Sequence, residues 1–302
     1  MEFMKRYSEL VLLSFLSIAV MASASSESVM PPVTGIAYVR IKVSDLDKAN
    51  DFYARKLGLS SVPCAAENAK CYFAGPAQEV DLIKTDSRSR ADWIDAIGLY
   101  TSDAGRLRTF LLSKGQKPGA LITDSRGTVY FRTMDPENHA IEFVQKGDMI
   151  AVTKRPLLPN MKLIHSGFVV NDRAAADNFY KSLLGFHVYW HGGMKDGETD
   201  WVAMQVPDGT DWIEYMLNIP ADADQRLLGV MNHISLGVPD VQLAAKQLEA
   251  SGTRLAEQPK IGRDGKWQLN LYDPDFTRIE LMSYAPAEKP CCSEFTGPHP
   301  KP

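Results

Sequence analysis

No basic stripe runs through this chain, no apolar run approaches bilayer length, and only four cysteines occur in 302 residues. The first absence, with a formal net charge of −4, leaves nucleic acid and anionic membrane surfaces without a docking patch. The second bears on residues 1–24. Lys5 and Arg6 precede an apolar run from Leu10 to Met21, broken only by Ser14 and Ser17, and Ala22-Ser23-Ala24 follows. A core of about a dozen residues falls short of the roughly 20 that span a bilayer. The small-x-small ending reads as a signal-peptidase site. Residues 1–24 are therefore expected to be a cleaved signal peptide, leaving a secreted or periplasmic protein with no membrane partner.

The cysteines offer no nucleophile. A reactive thiol needs a lowered pKa and a partner base, and the sequence around these four supplies neither. Cys64 and Cys71 flank Glu67-Asn68, where a hairpin could join them; a disulfide and two buried thiols are both open. Cys291-Cys292 sits in the Pro-rich stretch 285–302, which is expected to be a flexible tail with no fold and no chemistry.

What the chain does have is an internal repeat. Val43-Ser44-Asp45 opens a helical stretch through Phe52-Tyr53 to Leu57-Gly58-Leu59. Val170-Asn171-Asp172 opens another through Phe179-Tyr180 to Leu184-Gly185-Phe186, with the same internal spacings. Each helix has an Asp cap and ends at a Gly able to take positive φ. A second pair of stretches, from Ser102-Asp103 to Gly115 and from Asp240 to Gly252, follows the same plan. Two modules close alike, Met134-Asp135-Pro136 leading to Ile141-Glu142-Phe143 and Tyr272-Asp273-Pro274 leading to Ile279-Glu280-Leu281. The expected fold is α+β: four tandem βαβββ modules at roughly 33–86, 93–146, 161–218 and 230–284. These pair into two half-barrel domains, 33–146 and 161–284, with 147–160 as linker.

Within that plan His165 and His233 fall on the first strands of modules three and four, 68 residues apart. Glu214 and Glu280 fall on the last strands of the same modules, 66 apart. A lone strand His is most often a hydrogen-bonded core residue, and a lone strand Glu is usually solvated. Four such residues at repeat-equivalent positions demand four coincidences, so His165, Glu214, His233 and Glu280 are expected to hold one divalent metal. Two imidazoles and two carboxylates suit Ni, Co, Zn, Mn or Fe(II) without choosing among them. Small neighbours on the same strand faces, Gly167, Ser235 and Gly237, leave room for the ion and a ligand.

These residues resemble the vicinal oxygen chelate superfamily of glyoxalases, bleomycin-resistance proteins and extradiol dioxygenases, over about residues 33 to 284. The His–Glu–His–Glu order and the Asp-Pro-Asp…Ile-Glu-Leu ending most resemble bacterial glyoxalase I, apart from Phe276, where that family's turn usually carries Gly. The resemblance implies a small-molecule partner with vicinal oxygens and isomerase, epimerase or lyase chemistry through a metal-stabilised enediolate. Glu280 or Glu214 would be the base. A second copy of the chain is the one protein partner considered. Extradiol ring cleavage, with two His and one Glu, is the alternative that the four-module layout suggests. Against it, Glu214 is an extra carboxylate, and that family's catalytic His has no counterpart between Ile219 and Asn232. A sequestering protein is the alternative of another class, though such proteins usually lack a full ligand set.

In the first half Tyr38, Asp81 and Ala96 stand where His165, Glu214 and His233 stand in the second, and only Glu142 is kept. That half is expected to be a scaffold or a cavity wall. Arg263, in the stretch Ile261–Trp267, is a candidate contact for an anionic substrate. His191, in the Gly-rich loop after Trp190, is a candidate proton carrier.

Overall fold

The computed structural model describes residues 29–65, 68–89, 93–147 and 156–302. The expected signal segment and most of the expected linker lie outside them. Among the described residues no helix is long and apolar enough to cross a membrane.

The repeat folds as two eight-stranded sheets with the same strand order. Strands β1 (Val33–Val43), β2 (Ser60–Val62), β3 (Ala69–Gly75) and β4 (Gln78–Lys84) belong to module one. Strands β5 (Ile94–Thr101), β6 (Ile122–Thr123), β7 (Val129–Met134) and β8 (Ala140–Gln145) belong to module two. The second sheet repeats this with β9 (Lys162–Val169), β10 (His187–Gly192), β11 (Trp201–Gln205) and β12 (Trp212–Met216), then β13 (His233–Val238), β14 (Lys260–Ile261), β15 (Trp267–Tyr272) and β16 (Arg278–Ser283). In each sheet the two modules meet at an antiparallel seam, β1 on β5 and β9 on β13, while the first and last strands of every module run parallel.

Local chemistry sets the helix ends. Asp45, Asp103, Asp172 and Asp240 each accept a hydrogen bond from a main-chain N–H of the first turn. Helices α1 (Leu46–Asn50) and α3 (Arg173–Asp177) each continue into a π-helical turn, Asp51–Lys56 and Asn178–Leu183. Helices α2 (Ala104–Ser113) and α5 (Val241–Ala250) cover modules two and four. A short helix α4 (Gln225–Met231), capped by Asp224, fills the connection before module four and was not anticipated. Ile213, Tyr215, Ile279 and Leu281, alternating with the candidate ligands, are buried in the main core with Phe179, Tyr180 and Leu248 from the helices.

The halves dock with a pseudo-twofold relation. Tyr53 donates to Asp273 at 3.2 Å and Tyr180 donates to Asp135 at 3.0 Å, so module one leans on module four and module three on module two. Ser44 N–H on Asp275 and Asn171 N–H on Glu137 form a second equivalent pair. The closing turns also correspond: Asn138 and Phe276 both take positive φ, 69° and 68°. Phe276 thus adopts the left-handed conformation that Gly supplies at no steric cost, and the last hairpin keeps its shape.

The stretch 285–302 corrects the expectation of a flexible tail. It runs beside β10, the edge strand of its sheet. Thr296 N–H donates to Tyr189 O at 3.0 Å, and the Trp190 indole donates to Cys291 O at 3.2 Å. A Pro-rich segment builds no core of its own, but an open strand edge offers main-chain partners, and the tail takes them. Both cysteine pairs, Cys64–Cys71 and the adjacent Cys291–Cys292, are disulfide-bonded.

Candidate metal centre

Strand register brings the four expected residues to one place. Across the β9–β13 seam His233 stands opposite Gly167 and His165 opposite Ser235. On the outer flanks Glu214 pairs with Gly167 and Glu280 with Ser235. All four positions therefore point to one face at the seam. Gly167 is required there: a Cβ on it would lie 2.0 Å from Cε1 of His233.

The imidazole Nε2 atoms of His165 and His233 are 3.0 Å apart. Oε2 of Glu214 lies 3.3 Å from His233 Nε2 and 3.9 Å from His165 Nε2; Oε2 of Glu280 lies 3.4 Å from His165 Nε2. Donors about 2.1 Å from one ion and at right angles stand about 3.0 Å from each other, so these separations suit a shared cation. His165, Glu214 and His233 meet most closely, with one donor atom each all within 4.8 Å.

Protonation agrees with that use. Both imidazoles are fully buried, and burial holds His165 well below the ordinary His range and His233 at about 3; nearby positive charge adds to the effect. His233 Nδ1 lies 3.0 Å from Met231 O, a contact that makes Nδ1 the protonated nitrogen and turns the Nε2 lone pair toward the cluster. Burial raises Glu214 to about 7, against the pull of Arg278 and Lys266, and raises Glu280 as well. Among the described residues no main-chain N–H and no hydroxyl or amide donates to either carboxylate. Buried carboxylates without donors are costly, and a divalent cation would supply what they lack.

A pH dependence follows. The imidazoles are neutral already at pH 5, whereas Glu214 is protonated below about 7 and must release its proton to bind a cation. With Glu214 as a ligand, metal affinity should rise by about tenfold per pH unit, per proton displaced, up to pH 7 and then level off. Competition with a calibrated chelator between pH 5.5 and 8 measures this. An affinity flat across that range would take Glu214 out of the ligand set.

A cavity of about 360 Å³ opens in front of the cluster, lined by Glu214, Glu280, Trp212, Lys266, Arg278 and Phe295 among others. Trp212 packs against His165, ring centroids 4.7 Å apart. Arg278 and Trp212 share strand faces with the two carboxylates and could be read from alternation. Lys266 was passed over, because an isolated Lys beside Gly265 reads as solvated. Of the two loop candidates, Arg263 lines the cavity and His191 does not. Arg263 is engaged by Asp196 and by Gly193 O at 3.1 Å, bridging two loops. The main chain of His191 is tied to Ser293.

The larger cavity, about 530 Å³, lies in the first half. There Tyr38 donates to Glu142, and Arg40 occupies the strand position that corresponds to Gly167. Its guanidinium pairs with Asp95 at 3.3 Å, Glu142 at 3.4 Å and Asp81 at 3.8 Å. Ala96, opposite Arg40, leaves the space that an imidazole fills in the second half. The equivalents of Glu214 and Glu280 are thus gathered round a side-chain cation, and no imidazole stands among them.

Residues 162–281, within the second half of this chain, match the family described as the Glyoxalase/Bleomycin resistance protein/Dioxygenase superfamily. No curated protein sequence matches. Among solved structures, the chain is similar to homoprotocatechuate 2,3-dioxygenase of Brevibacterium fuscum, at 19% identity and a TM-score of 0.64 over 85% of this chain and 73% of that one. It is also similar to homoprotocatechuate 2,3-dioxygenase of Arthrobacter globiformis, at 18% and 0.64 over 88% and 85%. A third is the 2,3-dioxygenase LapB of Pseudomonas sp. KL28, at 16% and 0.65 over 91% and 96%. Identities this low establish a common fold: both domains of this chain have the vicinal oxygen chelate architecture.

Proposed function

We propose that the chain is a metal-dependent enzyme of the vicinal oxygen chelate superfamily that opens the ring of a catechol-like substrate with dioxygen. The observation that carries this is the pair of buried, neutral imidazoles at the seam of the second domain, each with a carboxylate beside it, Glu280 at His165 and Glu214 at His233. Two His and one carboxylate form the donor set of non-haem iron oxygenases. The likeness of the whole four-module chain to three 2,3-dioxygenases supports this reading better than it supports a glyoxalase-like one. His165, His233 and Glu280 would hold the ion, which when bound supplies Lewis acidity and access to dioxygen.

The chain's own residues do the rest. Trp212 supports the His165 ring, Phe295 and Trp190 wall off water, and Glu214, neutral below about 7, can donate a hydrogen bond to a substrate oxygen. Iron-reconstituted protein given catechol should consume oxygen in proportion to ring-opened product, recorded with an oxygen electrode and ultraviolet spectra. Turnover of a vicinal dioxygenated substrate under strict anaerobiosis would overturn the ring-cleavage reading.

Glu214 favours a second reading. Its Oε2 lies as close to His233 as Glu280 lies to His165, so the cluster also fits four donors. A set of two His and two Glu, which would hold an ion supplying Lewis acidity, supports the glyoxalase-like chemistry of an isomerase, epimerase or lyase, in which one of the two carboxylates would be the base that takes a proton from carbon.

A further inference from the structure

The cavity wall holds two cations without carboxylate partners. Lys266 is 0% exposed. Its ammonium, with three protons to donate, makes one long hydrogen bond, to Tyr189 Oη at 3.4 Å, and that hydroxyl is also hydrogen-bonded with His299 Nδ1. Around it stand aromatic rings, with Trp212 at 4.5 Å, Tyr189 at 5.2 Å and Phe295 at 5.3 Å from centroid to Nζ. Asp264, two residues back, does not pair with it through side chains. Its Oδ1 accepts from Lys266 N–H and Gln268 Nε2. Arg278 faces the same cavity with Nε buried and unpartnered, and among the described residues it makes no ion pair. The other two cations of the wall are spent on carboxylates, Arg263 on Asp196 and Lys260 on Glu257.

A buried ammonium is costly unless paired, and aromatic faces return only part of that cost. Such a group is retained where a ligand completes it. Trp212 touches both the His165 imidazole and this ammonium, so the ammonium lies about one aromatic ring away from the metal donors. We infer that Lys266 and Arg278 form an anion subsite, and that the substrate carries a carboxylate on the side of the molecule away from its two chelating oxygens. This rests on the proposed function only in taking the substrate to chelate a metal at His165 and His233. The subsite needs the tail as well, since Phe295 closes the box around the ammonium.

Binding tests the subsite apart from the reaction. Catechol and 3,4-dihydroxybenzoate chelate a metal through the same two oxygens and differ by one carboxylate. On zinc-loaded protein, which cannot activate dioxygen, calorimetric titration should show 3,4-dihydroxybenzoate binding at least about tenfold more tightly than catechol. Lys266→Met should abolish that preference and leave catechol affinity and zinc content unchanged. Arg278→Gln, a milder change at a half-buried position of the wall, should reduce the preference severalfold if Lys266→Met does not fold. Equal affinity for both probes in the unaltered protein, or a preference that survives both substitutions, overturns the inference, and so does failure of both probes to bind. Should the carboxylate preference hold while iron-loaded protein consumes no oxygen on either probe, the subsite stands and the ring-cleavage reading falls.

Discussion

Protein carrying His165→Ala or His233→Ala, purified without chelators, should hold less than about a tenth of the metal found in the unaltered chain. The unaltered chain should hold close to one ion. His165 Nε2 has His233 and both carboxylates within 4 Å, and His233 Nε2 has His165 and Glu214, so neither imidazole has a substitute nearby. Loss of one ligand costs more than loss of a supporting hydrogen bond, which alone weakens metal affinity by about 10–100-fold. Gly167→Ala should reach the same end by another route, because the added Cβ would displace the His233 ring from its site. Glu142→Gln is the control. That residue is tied to Tyr38, Arg40 and Arg132, and its loss should leave metal content unchanged. Elemental analysis with circular dichroism as a fold check decides the matter. Two ions per chain would disprove a single centre, and an undiminished ion in His165→Ala would remove that residue from it.

Glu214→Ala separates the two enzyme readings, and the contrast should be large. If three donors suffice, the variant keeps its ion and its oxygen uptake, with turnover lowered by no more than about tenfold for a lost hydrogen bond to substrate. If Glu214 is a fourth ligand or the base, metal affinity falls and turnover drops by at least about a hundredfold. The residue is well placed for either part, since it borders the cavity and still touches His233. The ring-cleavage assignment expects the first result. Anaerobic turnover that Glu214→Ala abolishes would replace it with proton-transfer chemistry.

Much of this was legible before any coordinates, for physical reasons. The Asp caps and the glycines at positions 58, 115, 185 and 252 are local devices, and each glycine does take positive φ. The correspondence of Tyr38, Asp81, Ala96 and Glu142 with His165, Glu214, His233 and Glu280 was read from repeat spacing. It reappears in the strand register. What escaped depends on distant parts of the chain. Lys266 is buried by Trp212, Tyr189 and Phe295, which lie from 29 to 77 positions away, and no local pattern reports that. The tail misled in the same way: its composition forbids a core, yet a strand edge elsewhere receives it. Helix α4 spans only Gln225–Met231, too short for a periodic pattern to stand out against a loop.

The two halves also answer differently to scarcity. In the first domain the positive charge among the carboxylates is the Arg40 guanidinium, held to the chain by covalent bonds and present from the moment of synthesis. In the second domain Gly167 stands at that position, and on the metal-centre reading the corresponding charge would be acquired from the surroundings. A chelator, or a medium poor in transition metals, can take that charge from one side of the molecule and has nothing to take from the other. The docking contacts from Tyr53 to Asp273 and from Tyr180 to Asp135 then join a self-sufficient partner to a dependent one. If the second domain depends on an ion, the first would keep its own charge balance when that ion is withdrawn and hold its neighbour through these two contacts.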